Sequence, residues 1–148
     1  MKSNPDARNS EKNLDSDKMA VILDTSVLIE IERGNKKVLK KLEDIRKIHP
    51  EKPYITQLTV SEFIYGTLNR NLTNQTKALN KLKQYNFLNT TVSSSILLAH
   101  LDSILTKKGK KIPPFDIFIA SLAIDNDLPL VTKDHHFKEI SGLNLILI

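Results

Sequence analysis

Five short apolar runs set the limits on what this 148-residue chain can build. They fall at residues 20–23, 54–56, 87–92, 130–132 and 143–148, and each is too short for a helix. Between them the apolar residues change to helical spacing. A first helix is expected over 25–33, stopped by Gly34-Asn35, and a second over 36–48. The second carries Val38, Leu39, Leu42, Ile45 and Ile48 on one face and lysines on the other. Helices are expected again at 59–69, with Val60, Phe63, Ile64 and Leu68, and at 75–85. Ser93-Ser94 reads as a cap for a strongly apolar helix that ends in Lys107-Lys108-Gly109-Lys110-Lys111. Pro113-Pro114 bars helix where it stands, and a compact helix follows over 115–126. Apolar strands alternating with amphipathic helices predict an α/β domain with a mainly parallel five-stranded sheet covered on both faces. In such sheets ligands bind at the carboxyl ends of the strands.

Composition narrows the function. Apolar residues make up 40% of a chain long enough for one proper core. There is no cysteine, which removes disulfides, thiolate metal sites and cysteine nucleophiles together and suits a reducing cytoplasm. No apolar stretch approaches the roughly 18–20 residues of a membrane span. Residues 1–18 are polar and read as a flexible leader or extension, with the folded unit at 19–148. The net charge is +5, and the lysines cluster at 36–41, 77–83 and 107–111. Such a surface suits a polyanion, although a charge run is more often a solvated helix face.

Four acids interrupt this pattern. Asp24 follows the first apolar run, Glu62 lies within Val60-Ser61-Glu62-Phe63-Ile64, Asp116 follows Pro113-Pro114-Phe115, and Asp134 closes Leu130-Val131-Thr132-Lys133-Asp134. Each has an ordinary explanation alone: Asp24 as a helix N-cap, Asp116 as a first-turn acid, Asp134 as a turn residue, Glu62 on the polar side of its helix. Together they fall where a parallel sheet can gather them into one crevice. Carboxylates so gathered repel one another unless a divalent cation sits among them. The chemistry expected of such a site is phosphodiester hydrolysis supported by Mg²⁺ or Mn²⁺.

These segments carry a resemblance. Leu23-Asp24-Thr25-Ser26, Val60 to Gly66, Pro114 to Ala120 and Val131 to Phe137 resemble, in order and spacing, the motifs of PIN-domain ribonucleases, and most of all the VapC-type toxins of toxin–antitoxin pairs. The likeness covers residues 19–148. It implies a three-layer α/β/α fold and a metal-binding, catalytic quartet of Asp24, Glu62, Asp116 and Asp134, with Ser26 and Thr132 as supporting hydroxyls. It further implies endonucleolytic cleavage of RNA, inhibition by a cognate antitoxin, and a homodimer. An RNA-processing or structure-specific nuclease of the same superfamily, or a PIN-like RNA-binding scaffold without catalysis, are the alternatives.

Other residues are weaker candidates. His135-His136 lack partner His or Cys residues at a ligand spacing and read as exposed loop histidines. His100 reads as a packed or half-buried helix residue and the tyrosines as packing rather than base-stacking groups. Lys133, beside Asp134, is a candidate phosphate contact.

Overall fold

The alternation of side chains along the strands decides the layers. In the computed structural model, which describes residues 20–148, strand β1 (Ile22–Leu23) sends Ile22 to one face of the sheet and Val21 and Leu23 to the other. Strand β4 (Leu130–Thr132) repeats the pattern, with Leu130 on the first face and Val131 on the second. Each face therefore needs its own cover of helices, and the result is a three-layer α/β/α domain.

The order along the chain is the expected one. Helices α1 (Thr25–Glu32) and α2 (Lys36–Ile48) precede β2 (Tyr54–Thr56), and α3 (Gln57–Tyr65) and α4 (Leu72–Leu82) precede β3 (Asn86–Leu88). Then come α5 (Val92–Lys107), α6 (Pro114–Asp125), β4, a short 3-10 helix (His135–Glu139) and β5 (Leu145–Leu147). The sheet order is β3-β2-β1-β4-β5, and every pairing is parallel. The succession reverses direction between β1 and β4, and at such a reversal an open α/β sheet leaves a crevice beyond its carboxyl edge.

The two cores follow from this. Ile22 and Leu130 pack with Leu101 and Leu105 of α5, Ile117, Ala120 and Ala123 of α6, and Phe137. On the opposite face Val21, Leu23, Ile55 and Val131 meet Val27 and Leu28 of α1, Phe63 of α3 and Leu82 of α4.

Where the elements differ from expectation, a cap explains it. Helix α3 starts at Gln57 rather than at 59, because the Thr56 side chain accepts the Thr59 N–H, and it stops at Tyr65 before Gly66. Helix α4 starts at Leu72, capped by Asn71. Strand β3 ends at Leu88, since Thr91 caps α5 reciprocally with Ser94, which leaves residues 89–91 outside the strand. Pro114 does not bar helix: it is the first residue of α6, where its missing N–H has no partner to lose. His100 is exposed rather than packed, and Tyr65 is exposed too, at 77%. The expected leader at 1–18 lies outside the described residues.

Candidate active site

Asp24 leaves β1 at the sheet reversal and occupies the N-cap position of α1. It makes no side-chain cap. Its Oδ2 instead accepts the hydroxyls of Ser26, at 2.7 Å, and Thr132, at 2.8 Å. Thr132 is fully buried and Asp24 is 7% exposed, so the carboxylate is fixed by two hydroxyl donors from two elements. Both converge on Oδ2, and no side-chain donor among the described residues reaches Oδ1.

The turn after β4 is tied to the same point. The Asp134 N–H donates to Thr132 Oγ1 at 3.0 Å, and the Lys133 N–H donates to Ser26 Oγ at 3.2 Å. Asp134 then caps the 3-10 helix by accepting the His136 N–H at 2.8 Å. Its Oδ1 also lies 3.2 Å from His136 Nδ1. The turn reading of Asp134 and the site reading are thus compatible in one residue.

Glu62 projects from α3 and is exposed. Thr25, the first residue of α1, donates its hydroxyl to Glu62 Oε2. Asp116 occupies the first turn of α6 and is half-buried. Asp24, Thr25, Ser26, Glu62 and Asp116 line one cleft of about 600 Å³, with Tyr65 and Phe115 at its margin. Asp116 also groups with Asp134 and His136, whose ligand atoms all lie within 4.8 Å of one another.

Electrostatics links the two groupings. Burial, and then the charges of Asp24, Asp134 and Glu62, push the Asp116 carboxyl up from its ordinary 3.8 to about 6, with His136 opposing. Three acids from three other elements therefore act on one carboxyl group. The donors are hard oxygens, which suit Mg²⁺ or Mn²⁺, and the mutual repulsion is the kind a divalent cation relieves. Thr25 is an addition to the residues singled out from sequence, and His136, a weaker candidate there, stands among the acids. Thr25 stands beside Asp24 in the sequence, but its partner on α3 was not readable. His136 is exposed as expected, yet its neighbours are carboxylates brought in by folding rather than His or Cys at a sequence spacing.

The PIN domain family model matches residues 21–143. The chain belongs to the PIN-domain family. No curated protein matches it. Among solved structures, this PIN domain is similar to VapBC2 from Rickettsia felis bound to a promoter DNA fragment, with TM-score 0.76 and 23% identity over 87% of this chain and 98% of that one. It is similar to DNA-bound VapBC from Salmonella typhimurium, with TM-score 0.72 and 20% identity over 86% and 96% of the two chains. A member of the VapBC family of toxin–antitoxin systems from Mycobacterium tuberculosis gives TM-score 0.67 and 21% identity over 88% and 99%. At such identities the likeness is one of fold.

Proposed function

We propose that this PIN domain is a Mg²⁺- or Mn²⁺-dependent endoribonuclease, the VapC-type toxin of a toxin–antitoxin pair. The observation that carries the reading is the gathering of four carboxylates from four elements: Asp24, Glu62 and Asp116 line one cleft, and Asp116 groups with Asp134. The quartet would hold the cation, with Ser26 and Thr132 fixing Asp24 and Thr25 fixing Glu62. A divalent ion bound there supplies charge neutralisation, polarisation of a phosphate oxygen and activation of a water.

The chain's own residues do the rest. The Ser26 and Thr132 hydroxyls hold the Asp24 carboxylate in place at the cleft through Oδ2. Asp116, whose carboxyl is raised to about 6, would offer a carboxylate oxygen to the cation near neutral pH. The lysines of α2 and of the turn after α5 are exposed and provide the attraction for a polyanionic RNA backbone. The fold similarity to VapBC complexes supports a protein antitoxin as partner. No helix among the described residues is long and apolar enough to cross a membrane.

The test is cleavage of structured RNA with Mg²⁺ or Mn²⁺ by the full chain beside Asp116→Asn and an EDTA control. Cleavage should need both the ion and Asp116, and undiminished cleavage by the variant rejects the site. Growth arrest on expression, relieved by a small protein encoded beside it, separates a toxin from a housekeeping nuclease.

A further inference from the structure

Glu30 is an acid of α1 that the cleft does not use. Its side chain is only 11% exposed, yet it is not left unpaired. It accepts from Asn35 Nδ2, from Arg33 Nη1 at 3.2 Å, and stands 3.3 Å from Lys133 Nζ. The Asn35 hydrogen bond, against the opposing effect of burial, and then Lys133 and Arg33 hold its carboxyl below the usual range. Glu30 is therefore an anion with a settled set of donors.

Lys133 is the informative member of that set. It stands between Thr132, which donates to Asp24, and Asp134 itself. Its backbone N–H donates to Ser26 Oγ, and Ser26 Oγ donates to Asp24. The ammonium is thus rooted two hydrogen bonds from one acid of the cleft and next in sequence to another. It rides on a flexible four-carbon stem. Attraction between unit charges about 4 Å apart is several-fold stronger near a protein surface than in bulk water. An untethered ammonium at this root would be drawn to Asp24, Asp116 and Asp134 and would stand where a cation binds. In the structure it points to α1 and meets Glu30 instead.

We propose that Glu30 is a positioning residue that sequesters the Lys133 ammonium and so keeps the acidic cleft open to a divalent cation. This rests on the reading of the cleft as a cation site. It explains an otherwise costly choice, since a nearly buried carboxylate on a helix needs several donors to be tolerated.

Direct Mn²⁺ binding to the full chain at pH 7.5, read by calorimetry or by the free-ion paramagnetic signal, decides the matter without any activity assay. Glu30→Gln should weaken Mn²⁺ binding by about 2- to 150-fold, the range of coupling between contacting groups. Lys133→Met should bind Mn²⁺ at least as tightly as the parent. The double variant Glu30→Gln/Lys133→Met should recover parental binding, because the competing ammonium is gone. A double variant as weak as Glu30→Gln overturns the proposal, since Glu30 would then act only through packing. So does a Glu30→Gln that binds like the parent. Where Glu30→Gln does not fold, Glu30→Asp withdraws the carboxylate by one methylene, and unchanged binding there overturns the proposal equally. Asp24→Asn serves as the control for the underlying reading: if it binds Mn²⁺ as well as the parent, the cation site itself is misplaced.

Discussion

Thr132 Oγ1 donates to Asp24 Oδ2 at 2.8 Å, joining residues 108 positions apart in the sequence across the reversal of the sheet. The bond ties the carboxyl ends of β1 and β4 together at the point where the cleft opens. Thr132→Val keeps the shape and removes the donor. The expected cost is about 1.5–3 kcal/mol, the worth of a hydrogen bond to a charged group. It is read as a lower urea midpoint with an unchanged slope. A loss below about 0.5 kcal/mol would show that Ser26 alone fixes Asp24.

Asp116 ties stability to pH. Its folded value, about 6, lies above the ordinary 3.8, so between those values the folded state binds more protons than the unfolded one. Stability of the metal-free protein should therefore fall as pH rises from about 4 to about 6 and stay level above. Asp116→Asn removes that loss. Relative to the parent it should gain about 1 kcal/mol between pH 4 and pH 7, a figure discounted for the group's partial exposure. Paired urea titrations at the two pH values measure it. A pH-independent difference would mean that neither burial nor the neighbouring charges raise the Asp116 carboxyl.

The same carboxyl makes cation binding pH-dependent. Below about pH 6 a bound ion must displace the Asp116 proton, so Mn²⁺ affinity should fall toward tenfold per unit there and level off above it. Mn²⁺ should also raise the melting temperature of the parent by mass action and leave Asp116→Asn nearly unmoved. Thermal shifts across a pH series read both effects. Equal stabilisation of parent and variant would place the ion elsewhere.

Thr25→Val separates positioning from folding. Glu62 is exposed, and the Thr25 hydroxyl is its donor at the cleft. Unfolding free energy should change by less than about 1.5 kcal/mol, the value of one ordinary hydrogen bond. Cleavage should slow by about tenfold, as when an orienting contact to a reacting group is lost. Full activity in this variant would show that Glu62 needs no anchor.

Phe137 is the test of the support behind Asp134. It is 1% exposed and packs the 3-10 helix against the α5–α6 core. Phe137→Ala should cost about 3–5 kcal/mol and reduce Mn²⁺ binding by loosening the turn that carries Asp134. Retained Mn²⁺ affinity in the folded variant would show that the Thr132 and Ser26 contacts hold the turn alone.

The sequence by itself determined the element order, the parallel sheet and the two-sided core. These rest on periodicity, which is local: Ile22 and Leu23 face opposite ways whatever surrounds them. It also determined which acids stand on the shoulders of core segments. It misjudged the starts of α3, α4 and α5, where Thr56, Asn71 and Thr91 cap ahead of the apolar pattern. Tertiary structure alone decided the partners. Asp24 could have been an N-cap, and only the approach of β4 supplies Thr132 as a better donor. Thr25 meets Glu62 and Lys133 meets Glu30 through contacts that no spacing encodes, and folding brings His136 within 4.8 Å of Asp116. The physical reason is that hydrogen bonds and charge pairs form at about 3 Å, while the distances in space between partners far apart in sequence are fixed only once the sheet has closed.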